Sequence, residues 1–280
     1  MKFYLKKFIN FLILNFIKFI FIFKSGRFMI EKIIIAIFSL KKTVKHNEID
    51  ITFHAPNRIN FFRIDSFSTK EPETLEWIDG FKKDKVFWDI GANIGLYSCY
   101  AAKKRDCKVY AFEPSVFNLE LLSRNININS LSKKITIVTT PLSDTTGFKN
   151  FFITDKNWGG AFSNFGENLD HYGEPSKTKF FYKTLGFSMD EMIKTLKFEQ
   201  PNYIKMDVDG IEHLILQGSL SVLKNAESVL IEVNKEYKKQ SNDIKKYLSV
   251  SGFKLKKKKQ IEVIENYNKV PNFFNEIWEK

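Results

Sequence analysis

The chain has 280 residues, 44% of them hydrophobic, and a net charge of +12, which allows one substantial core with an appendage and excludes two full domains. Residues 1–42 hold nine Lys or Arg and a single acid, Glu31, a net +8 that leaves only +4 for the other 238 residues. The body is therefore not a strongly basic nucleic-acid binder, and two cysteines, Cys99 and Cys107, without disulfide or metal-ligand spacing, point to a reducing cytoplasm.

Residues 8–23 form an apolar run broken by Asn10, Asn15 and Lys18, whereas a spanning helix needs about 20 largely uncharged residues. At about 100° per residue, Lys7, Asn10, Asn15 and Lys18 share an arc of roughly 140° and leave a wide apolar face. Residues 33–40 make a second apolar run. We expect segment 1–42 to lie on an anionic membrane surface at its inner, cytoplasmic face, with Lys6, Lys24 and Arg27 at the headgroups. The alternative is an ordinary cap packed on the body. Lys24-Ser25-Gly26-Arg27 is a poor cleavage site, which disfavours secretion.

Residues 43–82 read as a lead-in: a hairpin within 50–64, then a helix from Ser68 to Gly80 with Ser68 or Thr69 as cap and Pro72 in its first turn. From residue 83 the order becomes strand (86–90), helix (95–104), strand (108–112), helix (115–129) and strand (135–139). Alternation of this kind builds a parallel sheet with helices on both faces. An insertion, 145–200, breaks the rhythm with extended runs at 148–154 and 179–184 around a polar, glycine-bearing stretch, and a helix (188–196) closes it. Strand 203–208, helix 212–223, strand 228–233, helix 243–251 and terminal strands from Phe253 and Ile261 complete the chain. The lysines at 256–259 suit a solvated edge strand.

The chemistry concentrates at Asp89-Ile90-Gly91-Ala92-Asn93-Ile94-Gly95, where an apolar strand runs into a glycine-marked turn, and at Glu113, 18 residues after Gly95. Gly91 lets backbone approach a ligand and Gly95 lets a helix start tightly against the strand. Glu113, at the next strand end, is positioned for ribose hydroxyls. A dinucleotide loop would carry glycine where Asn93 stands, and a carboxylate at Asp89 repels a pyrophosphate but attracts a cationic amino-acid group. S-adenosylmethionine carries such a group and fits better than NAD.

With Phe67-Ser68-Thr69-Lys70-Glu71-Pro72, Trp88 to Ser98, Phe112-Glu113-Pro114, Leu142-Ser143-Asp144 and Ile204-Lys205-Met206-Asp207-Val208-Asp209-Gly210-Ile211-Glu212 in this order, the chain resembles the FkbM family of S-adenosylmethionine-dependent methyltransferases over roughly residues 60–240. Asp209 departs from the glutamate of the family pattern. The resemblance implies the class I methyltransferase (Rossmann-like) fold, a seven-stranded, mostly parallel sheet, and O-methylation of small molecules or glycans. It implies that Asp89, Gly91, Asn93 and Gly95 surround the methionine part of the donor, Glu113 the ribose, and Ser143 with Asp144 the adenine.

A sugar hydroxyl is a poor nucleophile, so a base or a metal is expected. Asp207, at a strand end, is the leading base, with Asp209 and Glu212 as further catalytic carboxylates; Glu212 could instead cap free amides. A divalent metal is not favoured, and its ligands would be Asp207, Glu232 and Asn234. Trp158, Ser163, His171 and Tyr172 in the insertion are expected to hold the acceptor, a sugar of a surface or lipid-linked glycan. Competing readings are an NAD-dependent sugar oxidoreductase, for which no tyrosine and lysine pair is visible, a nucleic-acid base methyltransferase, which would want an aromatic after Asp207, and a non-catalytic membrane-attached scaffold. No nucleic-acid partner is expected.

Overall fold

A computed structural model describes residues 2–261 and 272–280. Helices α1 (Lys2–Phe21) and α2 (Lys24–Ser39) form a helical hairpin, and β1 (Lys41–His46) pairs antiparallel with β2 (Ile49–His54). Two short helices, α3 (Arg58–Asp65) and α4 (Pro72–Asp79), lead to the body. There β3 (Val86–Ile90), α5 (Leu96–Lys104), β4 (Lys108–Phe112), α6 (Val116–Ile128) and β5 (Ile135–Val138) alternate. The insertion supplies β6 (Gly147–Ile153), β7 (Ser163–Phe165) and β8 (Phe180–Gly186), a separate antiparallel sheet ordered β7-β6-β8, and then α7 (Met189–Lys194). The remainder is β9 (Tyr203–Met206), α8 (Glu212–Gln217), α9 (Leu220–Asn225), β10 (Ser228–Asn234), α10 (Lys238–Val250), β11 (Lys254–Gln260) and β12 (Phe273–Glu279).

The main sheet runs β11-β12-β10-β9-β3-β4-β5, and only β12 opposes its neighbours. This is the class I methyltransferase arrangement. Side chains on a strand alternate between faces, and Phe87, Val109 and Ala111 enter one buried cluster while Trp88, Tyr110 and Phe112 enter the other. Burial on both faces explains why these strands read as apolar runs. Chain order reverses between β3 and β9, so the carboxyl ends of those two strands open a crevice.

Several boundaries differ from expectation. The hairpin lies at 41–54, and 58–65 is helical because the Asn57 side chain accepts from the Asn60 amide at 2.9 Å and caps α3. The helix expected over 212–223 breaks into α8 and α9: the helix ends at Gly218, where a Cβ would lie 2.6 Å from the Asp144 carbonyl and 2.7 Å from that of Ser143. The helix expected from Asp243 starts at Lys238. Beyond Ile261, the strand expected there lies outside the described residues as far as 271, and β12 begins at Phe273. The lysine-bearing β11 is the exposed sheet edge.

Helices α1 and α2 do not cap the body. No described side chain from 4 to 40 is buried, and Phe11, Phe16 and Phe28 are each at least 60% exposed. At the end of α2, Phe38 meets the Trp158 ring edge-on at 4.6 Å and lies under the Arg124 guanidinium at 4.8 Å. The Phe38 carbonyl also receives His54 Nδ1 at 2.6 Å. Among the described residues, no helix is long and apolar enough to cross a membrane.

Candidate active site

The turn after β3 is built on backbone that only small side chains tolerate. Gly91 has φ +86°, and a Cβ on it would stand 1.9 Å from the Asp207 carbonyl oxygen, so β3 and β9 touch here through backbone. Gly95 has φ +85°, and a Cβ would meet Leu122 of α6 at 2.6 Å. Asn93 also takes a left-handed conformation. Its amide donates to Glu113 at 2.8 Å and its Nδ2 to the Gly160 carbonyl at 2.9 Å, while its buried Oδ1 has no partner among the described residues. The second Glu113 oxygen accepts from the Ser115 amide at 2.8 Å. Burial, only partly offset by these amides, pushes the Glu113 carboxyl up to about 7.

Three adjoining cavities of about 180, 70 and 50 Å³ all touch Gly91, Asn93 and Asp207. The second is walled by Pro114, Leu142, Phe151, Phe165 and Ile215, an apolar slot bordered by the carboxylates Glu113, Asp207 and Asp209. The largest has the carboxylates Asp207, Asp209 and Glu232 on one wall and Arg63 and Lys70 among its other lining residues. Ligand oxygens of the three acids lie within 4.8 Å of one another. Asp209, at φ +62°, accepts the Phe162 amide at 2.6 Å; burial and the Asp207 charge push it up to about 7. Burial and the same neighbouring charge hold Glu232 well above the carboxylate range.

Behind this wall sits a buried charge network. Lys205 is 2% exposed and donates to Asp207 at 2.9 Å, and the negative charges of Asp207, Asp89 and Glu71 outweigh its burial and raise its pKa. Glu71 pairs with Lys70 at 2.8 Å and accepts from Tyr97 at 3.0 Å. Burial opposes ionisation there, yet Lys70 and Lys205 bring Glu71 down to about 2.

Other expected residues stand elsewhere. Asp89 is fully buried, accepts from Ser98 at 2.5 Å and lines none of the three cavities, so it supports the loop from behind rather than facing a ligand. Glu212, expected as a further catalytic carboxylate, lines none of the three cavities: its oxygens accept from the Val208 and Gly210 amides at 3.0 and 3.1 Å and from Gln240 at 2.6 Å, which fixes the turn carrying Asp209. Asn234 does not join Asp207 and Glu232, because its side chain donates to the His171 carbonyl at 2.6 Å and accepts from the Glu236 amide at 2.9 Å; Asp209 takes the third position. Ser143 and Asp144 bind Lys149 at 3.0 and 2.7 Å, away from the apolar slot that their neighbour Leu142 lines. Of the acceptor residues, Ser163 lines the slot. Trp158 packs on Phe38 and anchors the loop, its carbonyl receiving Asn57 and Asn60 at 2.9 and 3.0 Å. His171 and Tyr172 pack with Phe273 behind the lining.

The Methyltransferase FkbM domain family matches residues 89–255. The chain belongs to that family. It is 26% identical over 153 residues to the hexuronic acid methyltransferase AglP of Haloferax volcanii, covering 55% of this chain and 57% of the relative. It is 31% identical over 80 residues to a tRNA (guanine(37)-N(1))-methyltransferase of Dictyostelium discoideum, covering 29% of this chain and 17% of that one. The chain thus spans little more than half of one relative and a sixth of the other. Among solved structures it resembles an FkbM methyltransferase from Methylobacillus flagellatus with TM-score 0.47 and 15% identity, over 71% of this chain and 44% of that one.

Sequence reasoning missed Arg63, Lys70 and Phe273 as cavity residues, along with the slot residues Phe151, Phe165 and Ile215. Lys70 stood inside a recognised motif, so a cation beside the buried Glu71 was the available signal. The apolar ones resembled ordinary core.

Proposed function

We propose that this chain is an S-adenosylmethionine-dependent O-methyltransferase acting on a sugar hydroxyl, with Asp207 as the base. One observation carries the reading: Asp207 borders both the bare-backbone loop at Gly91 and the acidic wall of the larger cavity. The residues present fit the donor. Gly91 leaves backbone uncovered, the partnerless Asn93 Oδ1 accepts a donor hydrogen, Glu113 has lone pairs left for two ribose hydroxyls, and the slot of Pro114, Leu142, Phe151 and Ile215 suits a flat ring. S-adenosylmethionine supplies a methyl group on a cationic sulfur that departs as a neutral thioether.

Asp207 accepts the acceptor's hydroxyl proton, and the Lys205 ammonium, donating to that carboxylate at 2.9 Å, orients it. The AglP relative acts on a hexuronic acid, which supports a sugar acceptor. The Dictyostelium relative acts on tRNA, but the turn Met206 to Gly210 offers no aromatic ring to stack a base, and the body carries little net positive charge. The exposed apolar hairpin α1–α2 with its excess of lysines supports docking on the cytoplasmic face of an anionic membrane, and hence a lipid-linked glycan.

Calorimetry should detect S-adenosylmethionine and not NAD. Asp207→Asn should retain the donor but lose about 10²- to 10⁴-fold in kcat, the span expected when a general base is removed. A kcat within about threefold of the parent would remove Asp207 from this role, and abolition of parent activity by a chelator would reassign the carboxylate trio to a divalent cation.

A further inference from the structure

The cavity of about 180 Å³ is lined by two sets of opposite charge, Asp207, Asp209 and Glu232 against Arg63 and Lys70. Arg63 is held by one bond, Nε to the Gly159 carbonyl at 2.9 Å, and its two Nη groups have no partner among the described residues. A side chain needed only to tie down the 159–160 loop would not require the rest of the fork. Lys70 gives one donor to Glu71 and stays 25% exposed at the cavity with the others. Both cations also border the smaller cavity beside Gly91 and Asp207. Two like charges facing one space repel unless an anion joins them, and a planar guanidinium beside an ammonium is well matched to a carboxylate or a phosphate.

We propose that Arg63 and Lys70 clamp an anionic group of the acceptor, so that the substrate is an acidic sugar, carboxylated or phosphorylated, bound with a hydroxyl toward Asp207. The clamp fixes orientation, because the three carboxylates repel the anion from the opposite end. It rests on the methyl-transfer reading for the identity of the reacting end, while anion binding itself does not.

The test uses the full chain with S-adenosylhomocysteine present and titrates methyl glucuronide, glucose phosphate and methyl glucoside by calorimetry, followed by initial methylation rates with the donor. At least one anionic sugar should bind about 10-fold or more tighter than the glucoside, and which one identifies the anion. Arg63→Gln should weaken that binding by about 10- to 100-fold, the loss expected for a charge-assisted fork. Arg63→Lys, which keeps charge without the fork, should fall between. Thermal melting checks folding, and Lys70→Gln gives a second reading if the Arg63 variants unfold. Equal binding of all three sugars, or an equal loss on all three in the variants, overturns the clamp. Anion binding that persists without methylation of any acceptor overturns the methyltransferase reading and leaves the clamp standing.

Discussion

The proposed donor side and the proposed acceptor side of the crevice are built by different means. Gly91, Asn93, Gly95 and Glu113 come from one strand-turn-helix-strand unit, and their conformations follow from local covalent geometry: three positive φ angles and a strand-end acid. The acceptor side draws Arg63 from α3, Lys70 from the segment before α4, Gly159 to Phe162 from the insertion, Glu232 from β10 and Phe273 from β12. Its chemistry exists only after distant segments have packed. A compact sequence motif therefore reports a local turn well and a wall gathered from distant segments poorly.

Gly91→Val challenges the locality of the donor side and should have the largest effect. The new Cβ has no room against the Asp207 carbonyl, and φ +86° is strained for a branched residue. Donor affinity should fall more than about 100-fold, several kcal/mol, the range of a steric clash added to backbone strain. Binding calorimetry on a folded variant that kept its affinity would show that β3 and β9 can part without harm.

Acidification should separate the two sides less drastically. Asp209 and Glu113, raised to about 7 chiefly by burial, take up protons below that pH, so kcat/KM should fall by about tenfold per unit on the acid side as the cluster loses negative charge. Stability should move the other way. These carboxyls bind protons more tightly folded than unfolded, so their contribution is most favourable below the unfolded carboxylate range near 4, declines as pH rises to 7 and is level above. Glu71, at about 2, changes its contribution only below that window. Denaturant titrations between pH 5 and 8, the window set by these shifts, read the sign. A rate that is flat down to pH 5 would separate the acidic wall from catalysis.

The smallest effect is expected from removing residues 1–36, which keeps Phe38 against Trp158 and Arg124. Because no described side chain there is buried, melting temperature and kcat on a soluble acceptor should stay within about 2 °C and twofold, as for a segment outside the cooperative core. Sedimentation with anionic vesicles should be lost. Retained vesicle binding would assign the membrane contact to the body.

The alternating strands and helices of the body were legible because burial on both sheet faces leaves continuous apolar runs between glycine-marked turns. The lead-in was misread for a physical reason: the polar–apolar alternation of Asp50 to His54 does not continue to Ile64, because the Asn57 side chain caps a helix there. Glu212 and Asn234 looked equivalent to Asp207 and Glu232 in sequence, since all four are polar groups at or soon after the carboxyl ends of β9 and β10. Packing separated them by giving the first two a complete set of backbone and amide partners.

The sequence by itself determined the sheet's element order, the bare backbone at Gly91 and the acid at the end of β4, because each follows from periodicity or from what a single residue type can do at a turn. Only the tertiary structure decided which carboxylates face the crevice, that Arg63 and Lys70 oppose them, and that α1 and α2 stand clear of the body. Exposure and the pairing of charges depend on which distant segments meet, and no local pattern encodes that meeting.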